Sequence, residues 1–247
     1  MLGALGHLFY PWGLILQGLA IVHFIRRRPD AYWLYIILFL GPIGAVIYLL
    51  AEALPDLTST GGGFKLFSRR KRIGQLLIIV KDNPSSGNYE ELGDLYLDDG
   101  KPQLAREAFD RAIAGRTHTL DPFYRRGLAA MQLGDNAAAT VDFEKVVAAE
   151  PDYDYHRAAG LLAHMYALNG ETERAEAMFR RVTAKSTSSE TYMNYAALLR
   201  AQGRDAEARE WAQKVLDKKA TLPGYLKRRE RPWFRSAQQM LKQTAAG

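Results

Sequence analysis

The sequence predicts an all-α protein: a two-helix transmembrane hairpin followed by an α-solenoid of four repeats with capping helices. Three observations predict it. Two uncharged apolar runs, Leu8–Ile25 and Tyr32–Leu50, stand near the start of the 247-residue chain. A short segment rich in Pro, Thr, Ser and Gly follows them. The remainder repeats with a period near 34 residues, which is typical of stacked helix pairs.

The composition excludes several kinds of site. The chain has no cysteine, which rules out disulfides, cysteine-ligated zinc, iron–sulfur clusters and thiol chemistry. Its formal net charge is +6, and the excess belongs to the chain from Lys65 onward because the earlier charges cancel. A basic excess suits nucleic acid, anionic lipid or an acidic partner, so its distribution matters more than its size.

Region 1–53 is predicted to be a two-span membrane hairpin. Each apolar run is near the minimum length at which a helix spans a membrane. The basic turn Arg26–Arg28 separates the runs, and no Lys or Arg precedes the first run, which argues against a cleaved signal peptide. Gln17 and His23 are the strongly polar side chains inside the runs, and we expect them to form hydrogen bonds between the helices or to lie at the interface.

Two basic clusters indicate on which side of the membrane the repeats would lie. Arg26–Arg28 adjoin the predicted spans and would place the turn in the cytoplasm, whereas a larger basic cluster at 65–72 would place the repeats there. The second cluster could also contact anionic lipid head groups. We expect an integral protein of a bacterial plasma or inner membrane, with cytoplasmic repeats favoured over periplasmic or extracellular ones.

The stretch from Arg26 to Leu50 resembles the N-terminal membrane segment of cardiolipin synthases and related phospholipase D-type proteins. An Arg-rich, Pro-containing turn leads into a Trp-containing run that ends with Pro42, Gly44 and Tyr48, where Gly44 is displaced by one position from that family's pattern. The resemblance implies a shared anchor only. The catalytic His-x-Lys with a downstream Asp that the family uses does not occur in this chain.

The repetitive part resembles tetratricopeptide repeats. Region 54–71, with its proline and triple glycine, is predicted to be a flexible basic linker that leads into the repeats. The first copy then has the aromatic, Leu-Gly, Tyr and Ala-x3-Phe positions of the tetratricopeptide pattern: Tyr89, Leu92, Gly93, Tyr96, Ala105 and Phe109. Later copies place Phe143 and Phe179 at the same position, and we expect both rings to be buried between helices.

The period and the turns divide the rest of the chain. Turn glycines predicted to be left-handed recur at Gly100, Gly134, Gly170 and Gly203. The predicted solenoid covers 72–222, with a capping helix at 72–82 and repeats near 86–119, 120–153, 156–188 and 189–222. Region 223–247 is predicted to be a basic C-terminal capping helix.

The resemblance implies a binding groove. Tetratricopeptide arrays similar to this one bind a peptide or helix on the face formed by the first helix of each repeat. The predicted groove residues run from acidic through apolar to basic: Glu90, Asp94, Leu97, Tyr124, Leu128, Met131, Arg157, His164, Met193, Asn194 and Arg200. The basic clamp of chaperone-tail-binding relatives is absent, so we expect a ligand with apolar anchors at Tyr124, Leu128 and Met131.

No catalytic, metal or cofactor site is predicted. His164 has no second ligand at metal-binding spacing, and the acidic stretch 90–99 is interpreted as a solvated helix face. Phosphate-loop, serine-hydrolase and zinc-protease motifs do not occur in the sequence. The basic run 214–242 is interpreted as a solvated cap or a lipid contact in preference to a nucleic-acid site.

The predicted function is therefore that of a membrane-anchored scaffold or adaptor, without enzymatic activity, that binds a protein partner in the groove. The alternative is an accessory subunit of envelope lipid or polysaccharide machinery that acts through the membrane hairpin.

Overall fold

The computed structural model describes the backbone of residues 2–27, 31–53, 62–115 and 119–243. Within these ranges all of the regular secondary structure is helical, which confirms the predicted all-α class. The chain folds as two compact units, Met1–Gly74 and Gln75–Gly247.

The first unit is built from helices that pack around a small aromatic core. Its buried side chains are Ala20, Trp33, Ile37, Ala45 and Tyr48. The Gln17 side chain donates a 3.0 Å hydrogen bond to the Ile37 carbonyl, and His23 Nδ1 lies 2.8 Å from the Tyr48 hydroxyl, so both polar groups do bond between helices. The elements are α1 (Leu2–Arg27), α2 (Tyr32–Phe39), α3 (Gly41–Tyr48) and a π-helical turn (Leu49–Ala53).

The prediction of two membrane-spanning helices is wrong for the part of the chain that is described. No helix there is long and apolar enough to cross a membrane. The second apolar run breaks at Leu40, and Gly41 adopts a φ of 56°. It forms two eight-residue helices, each about 12 Å long, where a bilayer core needs about 30 Å.

Other predictions depended on those spans and lose their basis. The predicted integral-membrane location is contradicted for the described part of the chain. The cytoplasmic placement of the repeats was argued from the same spans and loses its support. The anionic-lipid contact and the anchor resembling that of cardiolipin synthases have no support in the structure.

The predicted flexible linker is partly helical. Residues 54–61 lie outside the described part, but helix α4 (Gly62–Asp82) begins inside the predicted linker and continues through the predicted capping helix. After the glycines no proline interrupts the chain before Pro84, and Ile73, Leu76 and Val80 bury one face of the helix. Helix formation is cooperative, so a face stabilised by burial extends into the adjoining residues.

The second unit continues as helical hairpins in which each helix packs on the next. The first helices of the four hairpins are α5 (Ser86–Asp98), α7 (Asp121–Gln132), α9 (Arg157–Leu168) and α11 (Ser189–Ala201). The second helices are α6 (Pro102–Ala114), α8 (Asn136–Ala149), α10 (Thr172–Thr183) and α12 (Asp205–Thr221). Helix bounds do not decide where one repeat ends, so the repeat boundaries remain predictions.

The core of this unit lies between successive hairpins. Phe143 and Phe179 are fully buried, as predicted. Gly100, Gly134, Gly170 and Gly203 follow the first helices with φ values of 68°, 76°, 82° and 77°, as the turn pattern predicts.

The C-terminal region of the described chain forms a short helix and a longer one. The longer helix packs against α12 and α11 and buries Phe234, Ala237 and Met240. It therefore covers the end of the last hairpin. The two helices are α13 (Gly224–Arg229) and α14 (Arg231–Gln243).

Candidate protein-binding groove

The predicted groove residues all lie on the first helices of the four hairpins. We call the surface that α5, α7, α9 and α11 share the first-helix groove. A series of polar contacts crosses it from one hairpin to the next. Arg125 Nε lies 3.4 Å from Asp94 Oδ1, Arg157 Nη1 donates to the Tyr124 hydroxyl at 3.1 Å, and Arg157 Nε donates to Glu190 Oε2 at 2.8 Å.

The Tyr124 ring packs in the core, whereas its hydroxyl lies in the groove. The side chain is 4% exposed, and its ring packs against Phe143 and Tyr153. Its hydroxyl donates a 2.8 Å hydrogen bond to Asp154 Oδ2, and burial raises the pKa of Tyr124 well above its ordinary value, so the hydroxyl stays a neutral donor. The expected role of Tyr124 as an apolar anchor for a ligand is therefore wrong.

The remaining predicted residues differ in how far they reach the surface. Met193 is 3% exposed and belongs to the core, and Leu128 and Met131 are half-buried against that core. Arg200 is exposed and donates to Gln243 Oε1 at 2.6 Å. His164 is half-buried, and burial lowers its pKa while Glu190 opposes the shift. Half-buried positions are also occupied by Glu90, Asp94, Leu97 and Asn194.

Two cavities meet in the groove. Both are lined by Asp154 and Arg157, which form the ridge between them. The larger, of about 440 Å³, is lined by Asp154, Arg157, Ser188, Glu190, Arg229, Glu230 and Trp233. The smaller, of about 310 Å³, is lined by Asp121, Tyr124, Arg125, Tyr153, Asp154 and Arg157.

Of the eleven predicted groove residues, only Tyr124 and Arg157 line these cavities. The other lining residues come from the starts of α7 and α11, from the turn before α9 and from the C-terminal helices, and none of them was predicted to lie in the groove. The available signal was the aromatic and acidic composition of the turn at 151–156. Tyrosine and tryptophan beside charged groups are typical of binding surfaces.

The turn before α9 has an unusual backbone. Asp154, Tyr155 and His156 are left-handed in succession, with φ values of 49°, 52° and 66°. Each such residue costs roughly 1–2 kcal/mol. Side chains hold the turn in place, because Tyr124 bonds to Asp154 and the Tyr153 hydroxyl donates to Asp121. The conformation puts Asp154 on the ridge and leaves Tyr155 90% exposed.

The C-terminal helices form one wall of the larger cavity. Glu230, between α13 and α14, accepts a hydrogen bond from the buried Ser189 hydroxyl. Lys218 Nζ lies 3.0 Å from that hydroxyl and 3.7 Å from Glu230 Oε2. These contacts hold Arg229, Glu230 and Trp233 beside α11. The wall of the cavity is therefore positioned by contacts within the chain.

The site offers hydrogen-bonding and charged groups. Among the residues that the structure describes, no group of three or more His, Asp or Glu side chains is placed to hold a metal ion. The arrangement can therefore recognise a polar or charged ligand by its shape and hydrogen bonds.

Comparison with known proteins identifies the repeats of this chain. Residues 124–190 and 169–223 match the family model described as a tetratricopeptide repeat. The FK506-binding protein-like protein of Mus musculus is 43% identical over 92 residues, which are 36% of this chain and 26% of that protein. The chain thus spans about a quarter of the length of that relative.

Solved structures share the fold. The crystal structure of MamA superposes with a TM-score of 0.55 at 21% identity, and covers 67% of this chain and 94% of MamA. The structure of YrrB, described as a TPR protein with an unusual peptide-binding site, gives a TM-score of 0.54 at 16% identity, over 80% of this chain and 91% of YrrB. This chain therefore contains tetratricopeptide repeats within residues 124–223 and has the helical fold of a tetratricopeptide-repeat solenoid.

Proposed function

We propose that this protein is a scaffold that binds a protein partner by holding an extended peptide segment in the first-helix groove. The observation that carries the proposal is the meeting of two cavities at Asp154 and Arg157 on the face formed by the first helices. A segment lying across that ridge would contact both cavities at once. Recognition of this kind needs several polar groups held in fixed positions, and the contacts around Arg157 supply them.

The structure of YrrB supports the proposal by analogy, because that protein is described as having a peptide-binding site and shares the fold. Within this chain the groove residues that we propose for ligand contact are Arg157, Asp154 and the Tyr124 hydroxyl. Leu128 and Met131 remain candidates for an apolar rim, because their side chains are half-buried. The accessory subunit acting through a membrane hairpin is not retained, because it required the two spans.

A peptide-display experiment tests the proposal. A library of random twelve-residue peptides would be selected against the full-length protein, and enriched peptides would be measured by fluorescence polarisation. We expect Arg157→Ala to weaken their binding at least tenfold, since Arg157 lines both cavities and holds the Glu190 carboxylate and the Tyr124 hydroxyl in place. The matched control is Arg209→Ala, on an exposed position of α12 outside both cavities.

Thermal unfolding of both variants shows whether each one is folded. If no peptide is enriched, or if a folded Arg157→Ala variant binds the enriched peptides as tightly as the parent protein, the first-helix groove is not the binding site.

A further inference from the structure

We infer that the bound peptide presents an arginine side chain to the larger cavity, where its guanidinium lies on the indole of Trp233 beside Asp154 and Glu190. The inference rests on the proposed function and specifies the chemistry of the ligand. Two independent features of the cavity, its carboxylate oxygens and its tryptophan, carry it.

The carboxylates of the cavity have unused acceptor capacity. Asp154 uses Oδ2 for the Tyr124 hydroxyl, and Glu190 uses Oε2 for Arg157 Nε. Their other oxygens, Asp154 Oδ1 and Glu190 Oε1, have no hydrogen-bond partner within the described chain. Each carboxylate can therefore accept a further hydrogen bond from a ligand.

The charge around these oxygens is unbalanced. The Arg157 guanidinium lies 2.8 Å from the Glu190 carboxylate and 3.6 Å from the Asp154 carboxylate. One positively charged group is therefore paired with two negatively charged groups. Glu230 does not change this balance, because Lys218 lies 3.7 Å behind it. Arg229 also lines the cavity but is exposed at its rim, so water and salt weaken its effect without removing it, whereas the Glu190 side chain is only 19% exposed.

The Trp233 ring, unlike several aromatic rings of this unit, is not covered by a cation of the described chain. Those rings already carry a cation from the same chain: Lys145 lies 3.5 Å from the centre of the Phe123 ring, Lys214 is 3.7 Å from Trp211, and Arg174 is 4.0 Å from Tyr166. Among the described residues no cation or second ring covers the half-buried Trp233 indole. An indole is the best ring for attracting a cation, and this one lines the cavity that contains the carboxylates.

Arginine suits the cavity better than lysine does. Its planar guanidinium can stack on an indole and still donate hydrogen bonds to two carboxylates from its edge, whereas an ammonium group is a compact, strongly hydrated charge. An acidic side chain would instead lie against the carboxylates of Asp154 and Glu190. Repulsion from these two groups would oppose its binding.

Four capped pentapeptides test the inference on the full-length protein. Each has the form acetyl-Ala-Ala-X-Ala-Ala-amide, with X as Arg, Lys, Gln or Glu. Binding is followed through the indole N–H signal of Trp233 in an NMR spectrum, assigned with the Trp233→Phe variant. We expect the Arg peptide to shift this signal, with a Kd at least fivefold below those of the Gln and Glu peptides and below that of the Lys peptide.

Three substitutions sharpen the test. Glu190→Gln and Asp154→Asn should each weaken the Arg peptide at least threefold, because each removes a negative charge from the cavity. Arg229→Gln should strengthen it, because it removes the competing cation from the rim. The control, Glu173→Gln on an exposed position of α10, should leave the Kd unchanged.

Two outcomes would overturn the inference. One is tighter binding of the Glu peptide together with its loss in Arg229→Gln, which would assign the cavity to an anion. The other is no movement of the Trp233 signal with any of the four peptides at millimolar concentration. Either outcome leaves the proposed function standing if the display library still yields peptides that depend on Arg157.

Discussion

At the scale of single residues, glycines set how closely two helices approach. A Cβ atom on Gly93 would lie 2.6 Å from the Phe109 ring, and one on Gly127 would lie 2.8 Å from the Phe143 ring. Both rings are buried in a close-packed core and have little room to move aside. The glycine and the aromatic residue in each of the first two hairpins therefore form a single steric unit.

Gly127→Ala should destabilise the protein by about 1–3 kcal/mol through overpacking, although alanine is the better helix former. Its control is Gly87→Ala in α5, where a Cβ would meet nothing within 4 Å. That substitution should leave stability unchanged or raise it by up to about 1 kcal/mol. Urea unfolding measures both. Equal stabilities for the two variants would contradict the close helix contact at Gly127.

His164 should make stability depend on pH. Burial lowers its pKa below the ordinary value of 6.5. Between the lower folded pKa and 6.5 the unfolded chain binds more protons, so stability is full above 6.5 and falls as the pH drops through that value. In urea unfolding between about pH 7.5 and 5, we expect His164→Gln to show a flatter pH dependence than the parent. An unchanged slope would show that His164 does not cause it.

At the scale of helices, arginines connect neighbouring elements on a surface away from the two cavities of the groove. Arg126 bonds to Asp110 of α6 and Asp142 of α8 at 2.7 and 2.6 Å. Arg174 of α10 reaches Glu144 of α8 at 2.9 Å. Asp142 is buried, so its pair with Arg126 is not a surface pair, whereas the exposed Arg174 pair is one. Because surface ion pairs contribute little, we expect the buried aromatic rings to hold successive hairpins together more strongly than the Arg174 pair does.

Phe143→Ala and Arg174→Ala compare these two contributions. The Phe143 side chain is fully buried, so its removal should cost about 3–5 kcal/mol. The Arg174 side chain is 56% exposed, so solvent screens its ion pairs and its removal should cost much less than that of Phe143. Thermal unfolding of the two variants at equal protein concentration measures the difference. A larger loss for Arg174→Ala would mean that the ion pairs dominate.

At the scale of the whole molecule, the second compact unit carries its own core and both cavities of the groove. Its core extends from Phe123 to Met240 through all of the later hairpins and the C-terminal helix. In repeat arrays stability comes mainly from contacts between neighbouring units. The groove should therefore not need the first unit in order to form.

The fragment Gly62–Gly247, which keeps α4 whole, should fold without the first unit. We expect a helical circular dichroism spectrum, a single cooperative thermal transition, and binding of the library-selected peptides within threefold of the full-length value. A fragment that lacks a cooperative transition would show that the first unit is required for folding.

The sequence by itself determined the features of the second unit that follow from local rules. Helical periodicity, left-handed turn glycines and the burial of Phe143 and Phe179 were all predicted, because each depends on spacing within one or two helices. Hydropathy was a poorer guide in the first part of the chain. It counts apolar residues, but it does not detect that the run breaks at Gly41 into two short helices.

Only the tertiary structure decided the composition of the groove. Asp154 and Trp233 are far apart in the sequence and line one cavity because α14 packs on α11 and α12. Tyr124 lies on the predicted face, yet its ring is buried in the core and only its hydroxyl is available in the groove. Periodicity assigns a residue to a face of its helix, but burial and pairing depend on the side chains that neighbouring helices bring to that face.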